Sequence, residues 1–223
     1  MKVSKKVLKK IFPNANDEFV MQMRRLLNQY GTTFGIDSNV KLARFLGHVK
    51  HETMFRKGKL KIRENLNYRR SSLRKVSKKF RKNKSLMNKA MSLKGLKKQE
   101  YIANHFYANR LGNRGYKSGD GFRYRGQGIL QITGRATHKK IYSYLEKKIG
   151  IVAFNKKGEV YKGLGDNITF AILTGMAYWH SHKMHLAHTP METVNIINSG
   201  LPKSYKKQRV ATIRKAYKAI KVG

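Results

Sequence analysis

Apolar residues return at helical spacing along most of this chain, and that rhythm constrains its fold more than any other feature. Phe19, Val20, Met23, Leu26, Leu27 and Tyr30 follow a start at Asn16 and Asp17, with Gly31 as a stop. A second helix is predicted from near Ser38, burying Leu42, Phe45, Leu46 and Val49 and carrying the chain to His51 and Glu52. Residues 141 to 148 read as a helix stopped at Gly150, and Asp166 precedes an apolar run through Phe170, Ile172, Met176 and Trp179. Thr189, Pro190, Met191 and Glu192 spell a capping box with proline at the first helical position, and Gly200 ends that helix. A last basic helix is predicted over about 204–220.

Two stretches differ. Between Arg56 and Lys98 stand 18 Lys/Arg and a single acid, yet Leu73, Val76, Phe80, Leu86, Met87, Met91 and Leu93 keep interrupting the charge, so 66–98 reads as short basic helices and not as a tail. Residues 112–135 hold seven glycines around short alternating stretches, which predicts turns and a small sheet. With 223 residues, 40% of them apolar, the chain is long enough to bury about 70% of its unfolded surface. No internal repeat or Pro/Gly/Ser linker divides it. The expectation is one mainly α domain over 1–223, of α+β type, with no separate cell-wall-binding module.

Lys and Arg total 50 against 11 acids, a net charge of +39 that attracts polyanions and weakens with salt. Nucleic acid, anionic lipid and anionic cell wall are all candidate partners. Compositional bias toward lysine accounts for part of this, since 34 of the 50 cations are Lys, but it explains poorly why acids are so few. Cysteine is absent, so neither disulfides nor thiolate metal sites enter the fold. Lysines scattered through the first apolar stretch argue against an export signal, and no later run has membrane-spanning length.

Scarcity lets each acid be offered a structural task before a catalytic one. Asp17, Asp37 and Asp166 sit at predicted helix starts, and Glu192 belongs to the capping box. Glu18, Glu100, Glu146 and Glu159 fall on polar surfaces or a turn, and Asp120 lies in the turn-like SGDG. Glu52 and Glu64 remain. Glu52 lies at the edge of an apolar stripe, where partial burial would favour the protonated form that a general acid needs; an ordinary helix-end carboxylate paired with Lys50 or Arg56 is the alternative. Glu64 stands alone among cations that would keep it ionised, as a base requires, or is one salt-bridge partner among many.

At KHETMF, IRENLNY and above all YANRLGNRGYKSGDGFRYRGQGILQITGR, the chain resembles the lysozyme-like branch of glycoside hydrolase family 19, which includes chitinases and phage endolysins. The resemblance begins near Leu42 and extends through the helix bearing NIINSG. It implies a mainly helical, lysozyme-like fold with a small β-sheet beside a substrate cleft, and an inverting hydrolase that needs no metal or other cofactor. Glu52 then matches the proton donor of the family's His-Glu-Ser/Thr motif, and Glu64 the carboxylate that activates water. An inverting pair of this kind stands about 6.5–9.5 Å apart to admit that water.

Gln131 and Thr133 match positions that line the cleft, with the Thr133 hydroxyl expected to help hold the water, and Asn198 matches the asparagine of the family's Ile-Asn-Gly-Gly motif. Backbone bonding in a strand and turn is the alternative for all three. Tyr124 and Arg125 are candidates for stacking on or binding sugar. Ser199 replaces a glycine of that motif, and Thr137–His138 stand where an Asn-Tyr pair is common, so contacts there depart from the family pattern. His180, His182, His185 and His188 invite a zinc site. No carboxylate or cysteine lies among them and their spacing fits no single helical face, so no metal is expected.

The expected activity is hydrolysis of the β-1,4 bond between N-acetylmuramic acid and N-acetylglucosamine in peptidoglycan, lysing the host cell. Chitin is the nearest alternative substrate, and a cationic membrane-active protein is the rival from another class. The expected partners are peptidoglycan glycan strands and the anionic envelope, with anionic membranes open and no specific nucleic acid, and the chain is expected to be a monomer. An endolysin of this kind would be made in the host cytoplasm and reach the wall through an opening made by another protein.

Overall fold

The structure, a computed structural model, describes residues 2–53, 55–56, 59–153 and 166–222. In chain order these form α1 (Lys5–Ile11), α2 (Asp17–Tyr30), α3 (Asn39–Glu52), the paired strands β1 (Phe55–Arg56) and β2 (Lys59–Leu60), α4 (Arg70–Val76), α5 (Lys78–Lys82), α6 (Lys84–Ser92) and α7 (Gly95–Phe106). There follow α8 (Asp120–Arg123), α9 (Arg135–Ile149), α10 (Ile168–Ser181), α11 (Pro190–Asn198) and α12 (Lys203–Lys221). The fold is mainly helical, as the spacing of apolar residues predicts. Two compact units emerge, one of Met1–Ile62, Gly128–Gln131 and Ile141–Gly223, the other of Arg63–Gln127 and Ile132–Lys140.

The first unit owes its order to caps as much as to burial. Asn16, Ser38, Asn167 and Thr189 each accept a backbone N–H at the start of a helix, satisfying a donor that has no partner inside it. The capping box forms with one shift: Glu192 N donates to Thr189 Oγ1 at 3.2 Å, while the Glu192 carboxylate accepts His188 N, one residue before the cap, at 2.8 Å. Phe12, Phe19, Phe34, Phe45 and Trp179 are wholly buried, with Phe45 and Trp179 edge to face at 5.9 Å. α3 and α12 cross closely at Gly47, where a Cβ would come within 2.7 Å of the Ile213 Cα; only glycine admits that approach. The lysine-studded first segment also folds, as α1, with Val7, Leu8 and Ile11 turned inward.

The second unit builds its own core from Leu66, Leu73, Phe80, Met87, Ala90, Ile102, Ala103 and Tyr107. Leu73, Phe80 and Met87, which interrupt the charge, thus anchor α4, α5 and α6, with Leu86 and Met91 packed partly against them, whereas Val76 is half exposed. The glycine-rich stretch differs from expectation. Among the described residues it carries short helical turns and isolated bridges, Arg63 to Gln127 and Gln127 to Ile132, in place of a sheet. The reason lies partly in Asp120, expected in an ordinary turn but fully buried: it accepts from Arg114 N, Nε and Nη2 at 3.0–3.1 Å and faces Arg135 Nε at 3.8 Å. Burial pushes this carboxyl up, but the Arg114 bonds and the Arg135 charge outweigh it and leave it below its ordinary value. The bonds of this buried carboxylate thus hold the loop in turns, with Arg114 largely in solvent and Arg135 partly so, where a sheet would have needed extended backbone.

Each unit also holds a buried imidazole. Thr193 Oγ1 donates to Pro190 O, so His48 Nε2 must donate to Thr193 Oγ1, at 2.8 Å. Burial, then the charges of Arg209 and His51, lower His48 to about 3. His138 donates from Nδ1 to Gly134 O at 2.9 Å, and burial lowers it to about 4 against the opposing pull of that bond.

Candidate active site

Glu52 is the last residue of α3, whose C-terminal turn leaves its side chain one-fifth exposed. Among the described residues its ion-pair partner is Arg209 of α12, with Nη2 at 2.5 Å from Oε1, and not Lys50; the Arg56 side chain lies outside the described residues. Arg209 lies on the buried face of α12 with Ile213 and Ala216, spaced by four and seven residues, so the guanidinium enters the unit's interior and not solvent. Tyr178 stands near the same carboxylate; burial, then the Glu52 charge, push its phenol up. One nitrogen of a largely buried guanidinium thus fixes the direction of the Glu52 carboxyl.

Glu64, in the second unit, is held by uncharged groups. Tyr107 donates its hydroxyl to both carboxylate oxygens, at 3.1 and 2.9 Å, and Gly126 N donates to Oε2 at 3.2 Å. The backbone completes the clasp, since Glu64 N donates to Gly126 O at 2.8 Å. Burial, then the Glu64 charge and bond, push the Tyr107 phenol far upward, so it donates at every ordinary pH. The sequence leads one to expect lysines and arginines around this carboxylate. The bonds that orient it come instead from a phenol and a peptide N–H.

Thr133 belongs to the same unit and is half-buried; Ile132 before it exchanges backbone bonds with Gln127 at 2.8 and 3.0 Å, so Thr133 is laced to the strip that clasps Glu64. Tyr124 and Arg125, expected to meet sugar, are only 3% and 6% exposed. The Tyr124 ring packs near His138 at 5.4 Å, and the Arg125 guanidinium lies 3.8 Å over the Phe122 ring. A covered ring offers no face for a sugar, so the structure gives this pair a packing role. In the first unit, Gln131 adopts a left-handed backbone and turns its amide onto Gly128 O at 3.0 Å and Ile62 O at 3.4 Å. Asn198 is exposed at the end of α11, and its Oδ1 accepts Gly200 N at 3.0 Å. Both therefore make the turn bonds that were the alternative to cleft lining.

Arg209 and Tyr178 lie outside the quoted motifs, whereas Tyr107 opens the family-like segment YANRLGNRG, which does not disclose its bond to Glu64. Arg209 has its own signal, an arginine on the apolar face of a lysine-rich helix. Among the histidines, His180 and His185 stack at 4.1 Å and Tyr144 OH lies 2.5 Å from His180 Nδ1. Among the described residues no three His, Cys, Asp or Glu side chains are grouped to hold a metal. Glu159 lies outside the described residues.

No protein-family model matches the chain. It is 30% identical over 201 residues, 90% of each chain, to a glycosyl hydrolase family 19 domain-containing protein of Haemophilus influenzae. The matched length exceeds what either compact unit holds, so the likeness is not confined to one of them. Identity at that level over nearly the whole chain leaves little room for a different ancestry: the chain belongs to glycoside hydrolase family 19.

Proposed function

We propose that this glycoside hydrolase cuts the β-1,4 bond between N-acetylmuramic acid and N-acetylglucosamine in bacterial peptidoglycan, with inversion at the anomeric carbon. Glu52 protonates the leaving oxygen, and Glu64 takes a proton from the water that attacks the opposite face of the sugar. The Arg209 guanidinium directs the first carboxyl, the Tyr107 phenol and Gly126 N–H direct the second, and Thr133 helps to hold the water. The chain works as one catalytic domain whose role is lysis from within a bacterial host.

The observation that carries the choice of substrate is the net charge of +39. Chitin is neutral, whereas the bacterial envelope is anionic, and a positive field raises the local concentration of the enzyme at an anionic polymer. The test is to digest lipid-free peptidoglycan and chitin in parallel with wild type and Glu52→Gln, and to identify the new reducing ends by mass spectrometry. Muropeptides ending in N-acetylmuramic acid, released by wild type only, support the reading. Faster cutting of chitin than of peptidoglycan, or equal release by the variant, would overturn it.

A further inference from the structure

Four arginines and one lysine of the second unit, Arg69, Arg70, Arg74, Lys75 and Arg81, converge with Ser71 on one open depression of about 730 Å³. The whole chain carries 34 lysines and 16 arginines, so lysine bias would line a chance depression mostly with lysine. Here the ratio is reversed. Of two depressions in the first unit, one of about 420 Å³ follows the bias, its cations among the described residues being Lys10, Lys50 and Lys215 with His51, while a smaller one of about 290 Å³ holds Arg44, Arg214 and Lys218 among apolar residues; neither gathers four arginines.

The arginines are rooted on ordered backbone. Leu73 of α4 and Phe80 of α5 are buried in the second unit's core, and Ser77 at the bend between the helices accepts Phe80 N at 3.4 Å. Arg70 is steadied further by Asn88 of α6, whose Oδ1 accepts its Nη2 at 3.0 Å. Among the described residues no acid lines the depression, and from 69 to 84 the sequence has none. Guanidinium forks at fixed roots bind tetrahedral oxyanions through paired N–H donors, where ammonium groups act as point charges. Nor, among the described residues, does any aromatic line it, so they offer none of the stacking surface on which single-stranded nucleic acid is usually held.

We infer that this depression is a binding site for clustered phosphate groups on a bacterial envelope polymer, separate from the bond-cutting residues. It would hold the enzyme at the wall by a specific contact, beyond what its overall charge provides. The choice of an envelope polymer rests on the proposed wall substrate; the phosphate chemistry rests on the arginines alone.

The test measures binding of inorganic tripolyphosphate to the full chain by calorimetry, without turnover. Arg69→Gln/Arg74→Gln/Arg81→Gln should weaken binding about tenfold, and the charge-conserving triple change to Lys should weaken it by several-fold, since bonds to charged groups are lost. Lys6→Gln/Lys203→Gln/Lys207→Gln, which removes the same charge from exposed positions, should change it less than twofold. Equal losses in the two glutamine triples would reduce the effect to net charge and overturn the site. The source is read from wall fragments with and without their phosphate-bearing polymers. Tighter binding to the phosphorylated fragments, lost in the arginine triple, supports the envelope polymer. A DNA oligonucleotide that binds more tightly and shows the same loss would replace it with nucleic acid. If wild type fails to cut the wall, the proposed function falls, while the phosphate result still stands or fails by itself.

Discussion

In the first unit a helix end hands Glu52 to the guanidinium of Arg209; in the second, a laced strip of backbone hands Glu64 to a phenol and a peptide N–H. Both arrangements fix a carboxylate, but they draw on different interactions. The first is charge against charge, strong only while water is kept away and costly when one partner is removed. The second is a set of neutral donors that satisfies the oxygens without adding a cation, in a chain where cations abound. Elsewhere the contrast runs the other way. The first is closed by aromatic packing around Trp179, while the second gathers a small core under a shell of arginine and lysine and winds its loop around the buried Asp120. The two carboxylates thus stand in unlike surroundings, a guanidinium for Glu52 and neutral donors for Glu64.

The comparison is broken most severely by removing a carboxylate. Glu52→Gln should lower kcat on peptidoglycan by about 10³-fold, the middle of the range for loss of a general acid, with little change in KM. A fall of less than tenfold in released muropeptides would remove Glu52 from the chemistry. Next in size is the response of both units to acid. His48 and His138 have folded values of about 3 and 4, below the 6.5 of an unfolded imidazole. Between those values the unfolded chain binds more protons than the native one, so stability is full above pH 6.5 and is lost as pH falls toward the folded values. Each imidazole contributes a slope of about 1.4 kcal/mol per pH unit in that window, so the two together should cost about 4 kcal/mol between pH 7 and 5. Urea unfolding at the two pH values measures it, and His48→Gln and His138→Gln should each remove part of the slope. A flat profile in wild type would show that these imidazoles are hydrated.

How far the sequence discloses this arrangement depends on the range of the interactions involved. The capping box at Thr189, the stop at Gly31 and the start at Ser38 are local, set by residues within a turn of each other, and each is legible. The two candidate carboxylates are legible because acids are rare and their motifs are specific. Their partners are not. Arg209 lies 157 positions after Glu52 and Tyr107 lies 43 after Glu64, and nothing in local spacing joins them. Reasoning from nearby charge points to Lys50 or Arg56 for Glu52 and to a cationic cage for Glu64, because the sequence shows which charges are abundant but not which are brought close. Glycines in 112–135 signal turns correctly. They do not reveal that Asp120 is buried beneath two arginines, since a buried carboxylate and an ordinary turn share the same short motif.

Arg209→Met tests the charged half of the comparison. It leaves Glu52, one-fifth exposed, without its cation, at a cost of about 2 kcal/mol, below the range for a fully buried pair because water reaches the carboxylate. In the double variant Glu52→Gln/Arg209→Met most of that loss should return, and the urea midpoints of the four proteins give the coupling directly. Additive losses would mean that the guanidinium is held by its surroundings and not by Glu52.

The smallest change tests the neutral half. Tyr107→Phe removes one hydroxyl from a ring that is 9% exposed and leaves the core contacts of that ring in place. Stability should fall by about 1 kcal/mol, the ordinary net value of a hydrogen bond. The informative readout is kinetic: kcat should fall about fivefold with KM unchanged, and the acid limb of the rate profile should move to higher pH, because a carboxylate that has lost a donor takes up a proton more readily. A purely structural role for Tyr107 would lower stability and leave that limb where it was. If the limb stays in place in Tyr107→Phe while Glu64→Gln is inactive, then Glu64 keeps its role as base and its orientation is owed to Gly126 and the backbone clasp, not to the phenol.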